Sequence, residues 1–180
     1  PASGGTSGAV SSGGAINIDA ATADAPELTP DAACAAETFQ AEPAPLNAFH
    51  KSPNAVIGDG DTIVLPDVPA TIFEGEAEVA LVIGKRASHV GAADAMSYVF
   101  GYLNFIDGSA RGLLPSGNTF YQMKSRDTFA PMGPYLVTAD EVHDPHRVQV
   151  RLWVNGALKQ NFNTSDMAHK IPRCIEWVSS

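Results

Sequence analysis

Two glutamates separated by a single residue, Glu76 and Glu78, stand at the start of a hydrophobic run that extends to Gly84. The run is rich in β-branched residues, which predicts a strand of about six residues. Because side chains in a strand alternate between its two faces, both carboxylates point the same way at the mouth of the strand. Ionised carboxylates on one face repel each other unless a cation lies between them, and their oxygens suit Mg²⁺, Mn²⁺ or Ca²⁺. A solvated acidic strand end is the alternative interpretation.

The composition limits the partners that this chain can have. Its 180 residues suffice for one domain with a substantial core. The formal net charge of -9 and a pI near 4.8 argue against nucleic acid and anionic membranes. No apolar stretch reaches the length of a membrane span, and no basic segment precedes an apolar one, so we expect no membrane partner and no signal peptide. Cys34 and Cys174 lie far apart in sequence, so we expect a reduced, cytoplasmic protein; a secreted β-domain would require them to be bridged.

The chain divides into a simple N-terminal segment and a longer, more hydrophobic part. Residues 1–30 consist mostly of Gly, Ala, Ser, Thr and Pro, and we expect them to be flexible or weakly ordered, with one short stretch, Ile16–Ile18, that could pair as a strand. Residues 31–180 are predicted to form the domain. It begins with a short helix, Asp31–Phe39, for which Asp31 is a suitable N-cap.

Beyond this helix the pattern is mostly β. Strands are predicted at Thr62–Leu65, Glu76–Ile83, Tyr135–Thr138, Val148–Val154 and Leu158–Phe162. Asn155-Gly156, between the last two strands, is the strongest hairpin signal in the chain. Apolar spacing predicts one full helix, Ala92–Leu103, and a partly helical Asp166–Ser180 that Pro172 interrupts. The predicted fold class is therefore α+β, mostly β, with few short helices.

After the two glutamates, residues that could take part in binding or catalysis occur in an ordered series of motifs. These are Glu76-x-Glu78 with its hydrophobic run, Asp107-x-Ser-Ala-Arg111 after Gly101-Tyr102, Lys124-x-x-Asp-Thr-Phe-Ala-Pro-x-Gly-Pro134, and Val154-Asn-Gly156 with Gln160 and Thr164-x-Asp-Met167. From Phe49 to Ser180 the chain resembles the fumarylacetoacetate hydrolase family, in its acylpyruvase-like C-terminal domain. The resemblance implies a mixed β-roll or β-sandwich around a divalent metal, usually Mg²⁺ or Mn²⁺ with Ca²⁺ as an alternative, and a homodimer.

The resemblance also assigns roles to individual residues. Glu76, Glu78 and Asp107 match the metal-binding carboxylates of the family, and Lys124 matches the lysine that lies beside the metal and the substrate. The family's substrates are 2-oxo acids or 1,3-dicarbonyl compounds, which chelate a cation through adjacent oxygens. A divalent ion stabilises the enolate that such substrates form, while a lysine such as Lys124 helps to hold the anion. The implied activity is metal-dependent hydrolysis of a C–C bond in an acylpyruvate or related acid.

Two further residues have open assignments. Arg111 occupies the arginine position that follows the metal aspartate, and its two interpretations, a site residue and a structural ion pair, carry equal weight. His50 lies in a Phe-x-Lys segment that the family places near the substrate. It is the histidine that we expect to reach the site, at its surface or behind the residues that contact substrate.

The sequence departs from the family pattern at two places. If Glu37 aligns with the family's glutamate, Cys34 falls where hydrolytic members carry a water-activating histidine. Loss of that base favours a metal-dependent decarboxylase or keto–enol isomerase as the alternative function. The chain also stops at Ser180, before a Gly-Asp-x-Ile-x-x-Gly-Thr motif of the family, so we expect the domain to lack its C-terminal end. A catalytically weakened, metal-binding structural member is the second alternative.

Overall fold

The computed structural model describes residues 44–113 and 119–180. The strands are β1 (Val56–Ile57), β2 (Ile72–Ile83), β3 (Val99–Arg111), β4 (Ala130–Pro131), β5 (Val137–Thr138), β6 (Gln149–Val154) and β7 (Ala157–Asn163). The α-helices are α1 (Thr119–Lys124) and α2 (Ile171–Ser179), and single 3₁₀ turns occupy Pro53–Ala55, Ala95–Tyr98, Pro145–Arg147 and Thr164–Asp166. This strand-dominated mixture with short helices confirms the predicted fold class.

The long antiparallel pair of β2 and β3 is the centre of the fold. Its register runs from Ile72 opposite Arg111 to Ile83 opposite Val99, with one irregularity near the Ile83 end. The short strand β5 pairs with the other edge of β3, giving the sheet order β2-β3-β5. Two smaller pairs complete the β structure, the parallel pair of β1 with β4 and the antiparallel pair of β6 with β7.

The two faces of the β2–β3 pair have different chemistry. One face carries apolar side chains that pack into three clusters: around Tyr102 with α2, around Phe129 with α1, and around Ala77 with β6. The other face carries Glu74, Glu76 and Glu78 in successive outward positions of β2, with residues of β3 opposite them. The apolar face anchors the sheet, and the opposite face is left for polar chemistry.

The hairpin signal is confirmed. Strands β6 and β7 pair across Asn155-Gly156, and both turn residues have positive φ angles of 53° and 78°, as a type I′ turn requires. Val150 and Leu152 of β6 are buried on one face, as the alternation of side chains along a strand requires.

Two predicted elements are wrong because long-range contacts override local pattern. Thr62–Leu65 forms no strand; the backbone N–H of Val64 donates instead to Thr128 Oγ1, at 2.8 Å. The predicted helix Ala92–Leu103 is a 3₁₀ turn at Ala95–Tyr98 followed directly by β3. Its aromatic and β-branched residues fit a strand as well as a helix, and pairing with β2 decides between the two.

Pro172 begins a helix rather than interrupting one. It lies in the first turn of α2, where its missing N–H costs no hydrogen bond. The predicted elements at Ile16–Ile18 and Asp31–Phe39, together with Cys34 and Glu37, lie outside the described residues.

Gly108 allows β3 to pass very close to the segment that leads into β4. Its N–H donates to the carbonyl of Phe129 at 2.9 Å. A Cβ added at Gly108 would lie 2.9 Å from the Phe129 carbonyl oxygen and 3.0 Å from its Cα. Phe129 is fully buried, so it cannot move away without disturbing its cluster.

We expect Gly108→Ala to lower the free energy of unfolding by about 1–3 kcal/mol, because overpacking forces the backbone apart. Gly91→Ala is the matched control, since a Cβ there meets no atom within 4 Å. Urea unfolding of both variants measures the difference. Equal midpoints for the two variants would contradict the close approach at Gly108.

Candidate metal centre

Three carboxylates converge on the polar face of the β2–β3 pair. Glu76 lies directly opposite Asp107 in the strand register, and Glu78 follows two residues later on the same face. One carboxylate oxygen from each of the three residues lies within 4.8 Å of the other two. Asp107 is the most deeply buried of the three, with 2% of its surface exposed. The fold therefore brings together the three carboxylates that the sequence predicts as metal ligands.

Lys124 contacts two of these carboxylates from the last position of α1. Its Nζ donates to Glu76 Oε1 at 2.8 Å and to Asp107 Oδ2 at 2.6 Å. Only 3% of the residue is exposed. An ammonium group taken this far out of water needs charged partners, and the two carboxylates supply them. Lys124 thus lies where the sequence analysis expects it.

Lys51 is a component of the site that the sequence analysis did not assign. Its Nζ lies 2.5 Å from Asp107 Oδ1, and it donates to the carbonyl of Gly108 at 3.1 Å and to the carbonyl of Lys124. Each oxygen of the Asp107 carboxylate therefore contacts a different lysine. Burial lowers the pKa of Lys51, and the hydrogen bond and charge of Asp107 oppose that effect.

Within the described residues, His50 makes no contact with the three carboxylates. The residue is exposed, and its ring has no hydrogen bond or ion pair within residues 44–113 and 119–180. The Phe-x-Lys segment could have indicated Lys51 rather than His50, because residues 49 and 51 of an extended segment share one side and residue 50 lies on the other.

Arg111 fits both of its interpretations. Its Nε donates to Glu74 Oε2 at 2.7 Å, and its Nη2 contacts Glu76 Oε1. The hydrogen bond to Glu74 is the main cause of the raised pKa of Arg111. The hydroxyl of Ser109, which the sequence analysis also missed, donates to the same Glu76 oxygen at 3.2 Å. Arg111 is thus an ion-pair partner of β2 that also neutralises one carboxylate of the site.

The pKa values of Glu76 and Glu78 are shifted in opposite directions. Desolvation works to raise the pKa of Glu76, but the hydrogen bond and charge of Lys124, together with Arg111 and Ser109, outweigh it and lower that pKa. Desolvation, followed by repulsion from Asp107 and Glu76, raises the pKa of Glu78 to about 7, although Lys124 and Lys51 partly oppose this. Glu78 therefore holds a proton more readily than Glu76 does.

A divalent cation fits this donor set. Oxygen ligands lie about 2.0–2.6 Å from Mg²⁺ or Ca²⁺, so two ligands of one ion lie no more than about 5 Å apart. The 4.8 Å limit on the three carboxylate oxygens meets that requirement. Glu76, Glu78 and Asp107 could hold the ion, and Lys51, Lys124 and Arg111 would then border it. Carboxylate oxygens favour Mg²⁺, Mn²⁺ or Ca²⁺ over softer metals.

The proton on Glu78 predicts that metal affinity depends on pH. A metal must displace that proton, so we expect Mn²⁺ affinity to fall about tenfold per pH unit below the Glu78 pKa of about 7. The stability of the metal-free protein should change in the opposite direction, rising as the pH falls. A folded-state pKa above the ordinary value of 4.5 means that Glu78 adds stability as the pH falls from about 7 towards 4.5.

Calorimetric Mn²⁺ titration and urea unfolding between about pH 8 and about pH 5 measure both effects. For the urea unfolding of the metal-free protein, the Glu78→Gln variant is the reference, because the difference between it and the unchanged protein isolates this one carboxyl. A wild-type Mn²⁺ affinity that is constant across pH 7 would contradict the assignment of the proton to Glu78.

The contacts of Lys51 predict that replacing it destabilises the metal-free protein and that a bound metal ion restores part of the stability. We expect Lys51→Met to lower the free energy of unfolding of the metal-free protein by about 3 kcal/mol, because Asp107 keeps a buried charge with one cation fewer. Saturating Mn²⁺ should recover much of the loss. Lys85→Met is the control, since Lys85 is exposed and its Nζ lies over the Tyr98 ring. Equal losses in the two variants would overturn the role given to Lys51.

Comparison with known proteins supports the family resemblance. Residues 23–180 match the family described as fumarylacetoacetate hydrolase, C-terminal. The oxaloacetate tautomerase Fahd2a of rat, named as mitochondrial, is 39% identical over 132 residues, which cover 73% of this chain and 42% of the relative. The chain therefore spans less than half the length of that protein.

Two solved structures share the fold. Maleylpyruvate hydrolase from Sphingobium sp. SYK-6, in complex with manganese(II) and pyruvate, is 39% identical with a TM-score of 0.66, over 73% of this chain and 47% of that one. The 5-carboxymethyl-2-hydroxymuconate delta-isomerase from Mycobacterium smegmatis is 38% identical with a TM-score of 0.67, over 73% and 51%. These matches confirm the predicted fold type.

The described residues include no helix long and apolar enough to cross a membrane. Cys174 is a free cysteine within the described part of the chain. The predicted homodimer, cytoplasmic location and domain boundary near residue 30 stay predictions.

Proposed function

Because the chain belongs to the fumarylacetoacetate hydrolase family, we propose that it forms the metal-binding part of an enzyme that interconverts the keto and enol forms of a 2-oxo acid. Glu76, Glu78 and Asp107 are the proposed ligands of a divalent ion, Mn²⁺ or Mg²⁺. When bound, such an ion polarises the 2-oxo group and stabilises the enolate that forms when a proton leaves the neighbouring carbon.

The observation that supports this proposal most directly is that two lysines, the buried Lys124 and the partly buried Lys51, contact the carboxylate cluster. Carboxylates alone would repel a negatively charged 2-oxo acid. Lys51 and Lys124 bring positive charge to the same place, and both contact Asp107. A divalent ion and the anionic substrate together would keep the site close to neutral, which the carboxylates without the lysines could not do.

We assign the substrate carboxylate to Lys124. Its Nζ now contacts Glu76 and Asp107, whose negative charge would be shared with the ion. Its ammonium hydrogens then have donor capacity for a substrate oxygen. Arg111 keeps its ion pair with Glu74 and holds Glu76 in place. These contacts fix the carboxylates before substrate arrives and so reduce the cost of organising the site.

Keto–enol exchange requires fewer catalytic groups in the site than hydrolysis does. The reaction moves one proton from carbon to oxygen and needs no activated water. Within the described residues no histidine contacts the three carboxylates: those with partners pair with Ser88, Ala44, Asp144 or Ile171. The rat relative is named an oxaloacetate tautomerase, in keeping with this choice. Hydrolysis of a C–C bond is the second candidate, favoured by the manganese- and pyruvate-bound maleylpyruvate hydrolase.

Turnover assays with Mn²⁺ test the proposal. Proton NMR would follow keto–enol exchange of oxaloacetate and the fate of acetylpyruvate, each with and without EDTA. We expect chelator-sensitive exchange, reduced on the order of 10²–10³-fold by Lys124→Met, because the substrate anion loses its positive partner. Lys85→Met, a change at an exposed lysine elsewhere, should leave the rate unchanged.

Three outcomes decide between the candidates. Chelator-insensitive exchange, or an unchanged rate in Lys124→Met, would contradict the proposed role of the metal centre. Release of acetate and pyruvate from acetylpyruvate would move the assignment to hydrolysis. A protein that binds Mn²⁺ tightly but turns over neither compound would support the structural alternative.

A further inference from the structure

Two phenylalanine rings from distant parts of the chain stack beside the metal centre. Phe49 precedes Lys51 by two residues, and Phe120 precedes Lys124 by four. The ring centroids lie 5.4 Å apart and the planes differ by 8°. Both residues remain substantially exposed, 38% for Phe49 and 42% for Phe120. Two stacked aromatic residues that keep this much exposed surface have apolar area left for a further contact.

Each ring shares its chain segment with a lysine of the site. Residues 49 and 51 lie on the same side of an extended segment, and residues 120 and 124 lie on the same face of α1. The two lysines reach inward to Asp107, whereas the two rings stack on each other. The site is therefore layered, with charges inside and the aromatic pair beside them.

The distance between the two layers is short. Lys124 Nζ lies 5.4 Å from the centroid of the Phe49 ring, and the same atom lies 2.6 Å from Asp107 Oδ2. A molecule whose carboxylate and 2-oxo group lie beside Lys124 would thus have its next few atoms within reach of the rings. Within the described residues, Lys124 is the only cation found over either of these two rings.

We propose that Phe49 and Phe120 form the subsite for the distal substituent of the substrate, and that this substituent is apolar, an alkyl or aryl group. The inference rests on the proposed function, because it needs the 2-oxo acid head at the metal centre. Each methylene moved from water onto the rings favours binding about fourfold when fully buried. A second carboxylate at that end, as in oxaloacetate, would be desolvated against apolar surface without a partner, so we expect oxaloacetate to bind less tightly than phenylpyruvate while its 2-oxo acid head still reaches the metal centre.

Binding to the Mn²⁺-loaded protein separates the head of the ligand from its tail. Pyruvate carries the 2-oxo acid head alone, and phenylpyruvate adds an aryl group to it. We expect calorimetry to show phenylpyruvate binding about tenfold more tightly than pyruvate. Phe120→Ala should remove most of this ratio and leave the pyruvate affinity within about twofold. Phe120→Leu, which keeps apolar area, should retain part of the ratio.

Two controls test whether a change in the affinity ratio comes from the two rings. Tyr135→Ala removes an aromatic ring that is 77% exposed and belongs to neither layer, and it should not change the ratio. Urea unfolding establishes that each variant is folded at the temperature used. Phe49→Ala should lower the ratio in the same way as Phe120→Ala, although it also removes a neighbour of Lys124.

The outcomes separate the subsite from the proposed function. Equal affinities for pyruvate and phenylpyruvate, or an unchanged ratio in folded Phe120→Ala, would overturn the aromatic subsite while leaving the metal centre intact. Failure of both compounds to bind in the presence of Mn²⁺ would overturn the proposed function and the subsite with it.

Discussion

The pairing of β2 with β3 is the constraint on which the rest of the site depends. Its register sets Glu76 directly opposite Asp107 and places Glu78 on the same face, so residues separated by about thirty positions in sequence become neighbours. A shift of one residue would turn one set of carboxylates towards the apolar clusters, where their burial without partners would be costly. Packing of the opposite face against α1, α2 and β6 therefore fixes the chemistry as well as the fold.

Nearby cationic side chains explain why the fold can hold a cluster of carboxylates. Lys51 and Lys124 each contact one oxygen of the buried Asp107, and Arg111 contacts Glu76. Burial, followed by repulsion from Asp107 and Glu76, raises the pKa of Glu78 to about 7, and the charges of Lys124 and Lys51 offset this only in part. The lysines thus stabilise the centre when no divalent ion is bound. In the proposed function, Lys124 also receives the anionic substrate once the ion shares the charge of the carboxylates.

Local sequence predicted what depends on local chemistry. The Asn155-Gly156 turn and the alternation of the two glutamates could be read directly, because a positive φ and a period of two leave clear patterns. Asp107 and Lys124 were indicated by the family resemblance and not by local pattern, and both lie beside Glu76 in the structure. Lys51 was missed because its role depends on contacts with Gly108 and Lys124, which are far away in sequence. The predicted helix Ala92–Leu103 includes the first residues of β3, because their apolar spacing suits both structures and only the pairing with β2 distinguishes them.

Mn²⁺ binding to four carboxyl variants tests the central claim most directly. Glu74, Glu76 and Glu78 lie on one face of one strand, but the cluster with Asp107 includes only the latter two. Electron paramagnetic resonance titration should find one Mn²⁺ per chain, a large loss of affinity in Glu76→Gln, Glu78→Gln and Asp107→Asn, and near-normal affinity in Glu74→Gln. Equal losses in all four variants would mean that general negative charge, and not this cluster, attracts the ion, and the account would then be wrong.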